Sequence, residues 1–281
     1  MIDRKQQLKE VFEDTQKYYS EDPALKAAVK KSRESTRLYG ADEYPELLGD
    51  PTRSGAVSVT KHKTFEAAMA LRKEYPDKKI AVLNFASASR PGGGVTNGSR
   101  AQEESLCRCS MLYATLNTKP MWQGYYDVNR NMHDVLHTDA CIYSPGVVIC
   151  KTDESIPKRM QAEDFVTVDV ISCAAPNLRN EPANKHNPET GKPMRIEPRK
   201  LYDLHLSRAR HILHIAAANG VDIIVLGAFG CGAFQNDPNI VAKAYRDALK
   251  EYGKRFDVIE FAIYCRDYET ENYDEFKKVL K

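Results

Sequence analysis

The chain has 281 residues, 42% of them apolar, with 41 basic against 39 acidic side chains, a formal net charge of +2 and a mean hydropathy of −0.54. That length and apolar share suffice for the core of one large or two small domains, and no apolar run reaches the roughly 18 residues of a membrane span. The balanced charge gives no argument for a dedicated nucleic-acid binder, which shows a basic excess or stripe, and no sequence-specific nucleic-acid partner is expected; a polyanionic partner would need a local site for its contacts.

The N-terminus, Met1 to Gln7, opens on polar helix formers with no apolar segment of the kind that precedes secretion. Residues 4–20 and 24–38 are rich in Lys, Glu, Gln and Ala and read as helices. Gly40 to Gly55, with Pro45 and Pro51, reads as a connection. Val57–Thr60 follows as a strand, and Thr64–Tyr75 as a helix capped by Thr64, with Phe65, Ala68, Met69 and Leu71 inward. Ile80–Phe85 is nearly all apolar, as a strand buried on both faces is.

Residues 102–117 read as one helix, with Leu106, Ser110, Tyr113 and Leu116 at helical spacing. Asp139–Tyr143 and Val147–Lys151 flank Ser144-Pro145-Gly146, the signature of a hairpin turn. Phe165–Cys173 is a strand; Ala174–Pro198 carries five prolines and no periodicity, a loop long enough to suggest a function. Pro198–Asn219 is a helix that Gly220 ends. Val221–Leu226, Asn239–Tyr252, Val258–Tyr264 and Tyr273–Leu280 then continue strand, helix, strand, helix. From Ala56 onward this alternation predicts an α/β fold with a mainly parallel or mixed sheet between helices. Residues 1–55 are expected as a helical extension of the domain spanning 56–281, since no flexible linker separates them.

Two strand–glycine–helix turns carry the chemistry. One runs from Leu83 to Glu104 and contains Pro91-Gly92-Gly93-Gly94; the other runs from Leu226 to Asp237 and contains Gly230-Cys231-Gly232-Ala233-Phe234. Ligands of open α/β sheets bind beyond the carboxyl ends of strands, and glycine turns expose backbone N–H groups that bind anions without net positive charge. Neither turn matches a dinucleotide or P-loop pattern, and no lysine follows the glycines. Tight turning alone is the competing explanation for either cluster. Gln102-Glu103-Glu104, at the end of the first turn, sharpens the choice. Acidic residues at a helix start serve the macrodipole in many proteins. Two adjacent carboxylates beside a phosphate cradle also suit a site that holds a phosphorylated sugar and cleaves it, one binding ribose hydroxyls and the other reaching the glycosidic bond.

His133 with His137, and His211 with His214, have helical spacing but no third ligand. Cys107 and Cys109 point to different sides of a helix. No metal and no cofactor is expected. The seven cysteines include no C-x-x-C pair and fit a reducing compartment. The expected location is the cytoplasm, with the nucleus the alternative. Trp122, with Tyr125 and Tyr126, is expected as packing or at the edge of the site.

The triple glycine, seven residues and then Gln-Glu-Glu resemble the signature of poly(ADP-ribose) glycohydrolases. Asn84-Phe85-Ala86-Ser87, Leu106-Cys107-Arg108, Tyr143-Ser144-Pro145 and Gly230 to Phe234 resemble the microbial-type members, over residues 57–265, and the N-terminal helices look like that group's accessory helices. The resemblance implies a macrodomain fold, with the diphosphate of ADP-ribose between the glycine turns. It implies Glu104 as catalytic acid and base, and Glu103 on the ribose hydroxyls. It places Ser87 and Phe234 at the distal ribose. Gly92, Gly93, Gly94, Gly230, Cys231 and Gly232 would contact the diphosphate, with Val95, Gln102 and Ala233 beside them. No adenine-stacking aromatic is matched. The implied activity is hydrolysis of ribose–ribose bonds in poly(ADP-ribose), with polymer or ADP-ribosylated proteins as partners, ADP-ribose as product and no membrane. A module that binds ADP-ribose without cleaving it, and a hydrolase of mono-ADP-ribosyl linkages, stay open as alternatives.

Overall fold

The computed structural model describes residues 3–47, 49–183 and 190–281; part of the proline-rich loop predicted over 174–198 thus lies outside the described residues. Asp3 starts the first helix: its carboxylate accepts from Lys5 N, and α1 (Arg4–Glu21) buries Leu8, Phe12, Thr15 and Tyr19, spaced three and four residues apart. Asp22 serves two helices. Its N–H closes α1 on the Tyr18 carbonyl at 3.0 Å, and its carboxylate caps Leu25 N at 2.9 Å at the start of α2 (Pro23–Ser35). The second helix predicted to residue 38 stops at Ser35. Thr36 turns extended, and Arg37–Tyr39 forms a strand, β1, so the extension is not all helical.

There follow β2 (Ala56–Thr60), α3 (Thr64–Glu74) and β3 (Ile80–Phe85). The cap of α3 is Lys63 rather than Thr64; its N–H is held by the Glu66 carboxylate at 3.1 Å. Next come α4 (Gln102–Cys109) and α5 (Leu112–Leu116), where the sequence predicted one helix. Ser110 breaks it. Its backbone is extended and bridges to Ile149, while its hydroxyl donates to the Leu106 carbonyl and accepts from Leu112 N. A short α6 (Lys119–Met121) runs through a π-helical turn, Trp122–Tyr126, into α7 (Asp127–Met132).

The predicted hairpin is instead one strand, β4 (Cys141–Ile149), paired along its length with β5 (Val166–Cys173). Ser144-Pro145-Gly146 makes a bulge, with the register shifting between Ser144 and Val147. Asp169 stabilises it, accepting from Gly146 N at 2.8 Å and from the Tyr143 hydroxyl. The turn residues are real, but both flanks are apolar enough to bury against the same neighbour. The chain closes with α8 (Pro198–Ala218), β6 (Ile223–Leu226), α9 (Pro238–Tyr252), β7 (Val258–Ala262) and α10 (Glu271–Val279).

The seven strands form one mixed sheet in the order β1-β4-β5-β3-β6-β7-β2. The five from β5 to β2 are mutually parallel, and β4 is antiparallel to both its neighbours. Side chains of the central strand alternate between two cores. Ile80 and Val82 join the core under the N-terminal helices, α3, α4 and α5, whereas Ala81 and Leu83 join that under α8 and α9. This is the helix–sheet–helix sandwich that the alternation predicted. Among the described residues no helix is long and apolar enough to cross a membrane.

Candidate active site

The carboxyl ends of the five parallel strands share one edge of the sheet, and a cleft of about 950 Å³ opens there. Each strand contributes to it: Lys63 and Thr64 after β2, Ser87, Gly93, Gly94 and Arg100 to Glu104 after β3, Ala175, Asn177 and Arg179 after β5, Ala228, Gly230 and Gly232 to Phe234 after β6, and Ile263 and Tyr264 after β7.

The first glycine turn is built around two carboxylates. Gly92 and Gly93 both take positive φ, at 65° and 56°, and Val95–Asn97 forms a single 3₁₀ turn. Glu103 Oε2 accepts from Ser87 N at 2.7 Å, and Oε1 lies 3.3 Å from Asn84 Nδ2. Glu104 Oε1 accepts from Gly94 N at 2.8 Å, while its Oε2 is buried with no hydrogen-bond partner among the described residues. Both side chains are buried, at 3% and 7% exposure. Burial, and next the charge of Glu104, push the Glu103 carboxyl well above the ordinary carboxylate range, against the pull of N–H groups from Ser87, Asn84 and Gly92. The Gly93 N–H closes a turn on the Arg90 carbonyl at 3.1 Å. The glycine amides of this turn therefore hold glutamates and close the turn in this structure.

Open amides stand in the second turn as well as at the start of α4, where the N–H groups of Gln102 to Glu104 bond no described residue. The N–H groups of Gly232, Ala233 and Phe234 make no hydrogen bond to any described residue, and Gly230 takes φ 79°. Buried Asn236 fixes the turn: its Nδ2 donates to the Pro176 and Gly230 carbonyls at 2.7 and 3.0 Å, and its Oδ1 meets His205 Nε2 at 2.8 Å. Such unpaired N–H groups in a concave turn attract an anion.

Gln102 anchors α4 to β3. Its Oε1 accepts from Phe85 N at 2.9 Å, and its Nε2 donates to the Leu83 carbonyl at 2.7 Å and lies 3.1 Å from Thr64 Oγ1. The helix thus starts where the strand ends, which delivers Glu103 and Glu104 into the cleft. Helix α1 supports the same segment from outside. The Thr15 hydroxyl donates to the Arg108 carbonyl at 2.6 Å, and Arg108 Nη1 donates to the Ser99 carbonyl at 2.6 Å. Buried Lys151 reaches the Val11 carbonyl at 2.8 Å and Asp14 at 2.7 Å.

Of the residues singled out in the sequence, the cleft brings together Ser87, Gly93, Gly94, Gln102, Glu103, Glu104, Gly230, Gly232, Ala233 and Phe234. Three do not line it. Val95 is fully buried; Gly92 is covered by Tyr113, Val95 and Cys107; the Cys231 thiol turns back to the Phe229 carbonyl. The Ser87 hydroxyl accepts from Ser89 N and Arg90 N, closing its own turn. Tyr125 and Tyr126 are fully buried and do not line the cleft. His133 and His137 are not on one helix face: both sit at positive φ beyond α7. His137 does line the cleft, and burial, with the Arg208 charge next, lowers its pKa to about 4, so it is neutral at neutral pH. His211 and His214 point their Nε2 atoms at the Glu43 and Pro45 carbonyls and tie the 40–47 segment to α8. Among the described residues no group of three or more His, Cys, Asp or Glu could hold a metal ion.

The sequence reading missed Lys5, Arg179 and Tyr264. Arg179 lies 5.5 Å over the Phe234 ring, and its guanidinium is held by Asn177 Oδ1 and the Pro182 carbonyl. Tyr264 is 60% exposed, with Lys63 Nζ 5.7 Å from its ring centre. Its place just past the end of β7 was the available signal, because that is where such sheets bind ligands.

The sequence matches the family model for the microbial-type PARG catalytic domain over residues 6–152. Among solved structures, the fold is similar to poly(ADP-ribose) glycohydrolase of Thermomonospora curvata bound to the inhibitor ADP-HPD, with a TM-score of 0.80 and 29% identity, covering 96% of this chain and 98% of that one. It is also similar to poly(ADP-ribose) glycohydrolase of Deinococcus radiodurans in complex with ADP-ribose, with a TM-score of 0.76 and 33% identity, covering 90% of this chain and 97% of that one. No curated protein matches the sequence. The family match takes in α1 and α2, beyond the span over which the sequence motifs carried the resemblance.

Proposed function

Because the chain belongs to the microbial-type poly(ADP-ribose) glycohydrolase family, we propose that it hydrolyses the ribose–ribose O-glycosidic bonds of poly(ADP-ribose) and releases ADP-ribose, with Glu104 as acid and base. The observation that carries this reading is the asymmetry of Glu104. One oxygen is held by Gly94 N at 2.8 Å, and the other is buried without a partner. An orphaned buried oxygen costs about 1–3 kcal/mol, a cost that a substrate hydrogen bond removes.

The open amides of Gly232, Ala233 and Phe234 receive the diphosphate, which sets the distal ribose between Phe234 and the paired glutamates. Burial, and next the charge of Glu104, favour a proton on Glu103 in this structure. Ribose hydroxyls that donate to Glu103 favour its anion and pass that proton to the neighbouring Glu104. Glu104 gives that proton to the leaving 2′-oxygen as the C1″–O bond breaks. The oxocarbenium-like ribose forms beside the bound diphosphate. Water adds to C1″ and loses its proton to Glu104, which restores the acid. No metal enters these steps. Tyr264, exposed at the cleft wall, offers its ring to the adenine. All seven cysteines are free thiols, which supports a reducing compartment and a cytoplasmic site of action.

The test is incubation with poly(ADP-ribose) and, separately, with mono-ADP-ribosylated protein, followed by chromatography. Release of ADP-ribose from polymer is expected. Glu104→Gln should keep ADP-ribose affinity and lose about 10²–10⁴-fold in rate. Turnover at the wild-type rate by that variant overturns the role of Glu104. Release from mono-ADP-ribosylated protein alone, or binding without product, overturns the polymer reading.

A further inference from the structure

The cleft lining includes cations that no described residue pairs. Lys5, at the start of α1, and Arg100, just before α4, both line the cleft and are exposed. Neither side chain makes an ion pair or hydrogen bond with any described residue. The other cations of the lining are differently placed. Lys63 pairs with Asp153 at 3.5 Å, and Arg179 is tied to Asn177 and Pro182. The Arg90 side chain is also without a partner among the described residues, and its backbone is bonded both to Ser87, next to Glu103, and to Gly93, next to Glu104.

Lys5 and Arg100 are on the Glu104 side. The Lys5 carbonyl packs so closely on Gly98 that a Cβ there would lie 2.3 Å from it, and Arg100 is two residues further on. Between them and Glu104 stand Ser99 and Gly94, in mutual contact, and Gly94 N holds the Glu104 carboxylate. The open amides of the second turn, at Gly232 to Phe234, lie on a different segment, after β6. The cleft thus has two anion-attracting walls, with the candidate acid adjoining the second. Its volume of about 950 Å³ is at the upper end of the roughly 300–1,000 Å³ usual for small-ligand sites.

We propose that Lys5 and Arg100 form a second anion subsite, which holds the diphosphate of the ADP-ribose unit on the leaving-group side of the scissile bond. The inference rests on the hydrolase reading above and deepens it. It makes the preferred substrate a chain of at least two ADP-ribose units, because a single unit has no second diphosphate to place there. It also gives the N-terminal extension a direct part in substrate choice, in addition to its support of the glutamate loop.

The test compares Glu104→Gln with Glu104→Gln/Lys5→Glu/Arg100→Glu, by calorimetry against ADP-ribose and against the ribose–ribose-linked dimer. The expected result is a loss of about tenfold or more in dimer affinity, with the ADP-ribose Kd changed less than twofold. The loss should shrink as salt rises, as exposed charges are screened. Lys5→Ala/Arg100→Ala in the same background should show a smaller loss of the same kind and guards against a folding defect. An unchanged ratio of dimer to ADP-ribose affinity overturns the subsite. If Glu104→Gln still cleaves the dimer, KM for the dimer in the same variants is read in place of Kd. If the wild-type protein does not cleave polymer, the hydrolase reading fails by itself, and the affinity ratio is still decisive for the subsite.

Discussion

Gly93 and Glu104 meet where no side chain fits. A Cβ at Gly93 would lie 2.6 Å from Glu104 Oε1 and 3.1 Å from Glu103 Oε2. The backbone of residue 93 is therefore part of the wall against which both carboxylates are set, and its φ of 56° is one that an L side chain resists. Gly93→Ala should displace the pair and cost about 1–2 kcal/mol in backbone strain. Because a 1 Å misplacement of catalytic groups is worth about 10²-fold, the expected rate loss on poly(ADP-ribose) is of that order, with a folded protein. Circular dichroism and steady-state rates measured together check this; near-wild-type kcat would show that the contact does not set the glutamates.

The raised pKa of Glu103 makes stability fall as pH rises. In the folded protein the carboxyl keeps its proton to a pH well above the ordinary glutamate value, because burial and Glu104 oppose its charge. The unfolded chain has no such restraint. Between the ordinary value of about 4.3 and the raised folded one, the native state binds more protons, so its advantage is complete at low pH and is lost upward through that window. Glu103→Gln should remove the slope. The melting temperature of the variant should exceed that of wild type by several degrees at pH 8 and match it more closely at pH 5. A variant that melts lower than wild type at pH 8 would contradict the assignment.

Tyr264 can be tested separately from the acid. Its ring is exposed, so Tyr264→Ala should leave the melting temperature within about 1 °C, as surface substitutions do. Loss of a stacked base is worth about 1–3 kcal/mol, which predicts an ADP-ribose Kd raised about 5- to 150-fold with kcat little changed. An unaltered Kd would place the adenine elsewhere.

The sequence made the sheet legible because its central strands are buried on both faces. Ile80–Phe85 and Ile223–Leu226 needed nothing beyond their own apolar runs. It also made the glutamate pair legible, since the glycines that admit Glu103 and Glu104 are neighbours of those residues in the chain. Misreadings arose where a local signal was overruled by a distant partner. Ser144-Pro145-Gly146 would turn a free chain, yet β5 pairs with both flanks and Asp169 absorbs the extra residue. Ser110 fits a helix, but its pairing with Ile149 breaks it. Arg37–Tyr39 is too short to register as a strand until β4 lies beside it. Lys5 shows the same limit at the site. No spacing rule connects residue 5 to residue 104; only the packing of α1 on Gly98 does.

That packing gives the last prediction. The Thr15 hydroxyl is fully buried and lies 2.6 Å from the Arg108 carbonyl, with the Val11 carbonyl of its own helix at 2.8 Å. Arg108 in turn donates to the Ser99 carbonyl, and Ser99 packs on Gly94, whose N–H holds Glu104. Thr15→Val keeps the shape and removes the donor, which leaves the Arg108 carbonyl short of a partner at a cost of about 1–3 kcal/mol. A structural role alone predicts a lower melting temperature and unchanged kinetics at temperatures where the protein is folded. A positioning role predicts in addition a several-fold fall in kcat, with KM and ADP-ribose affinity near wild type, because Glu104 shifts while the cleft that binds the diphosphate does not. Thr15→Ser retains the hydroxyl and should restore kcat. If Thr15→Val melts earlier but turns over polymer at the wild-type rate, α1 supports the fold without setting the acid.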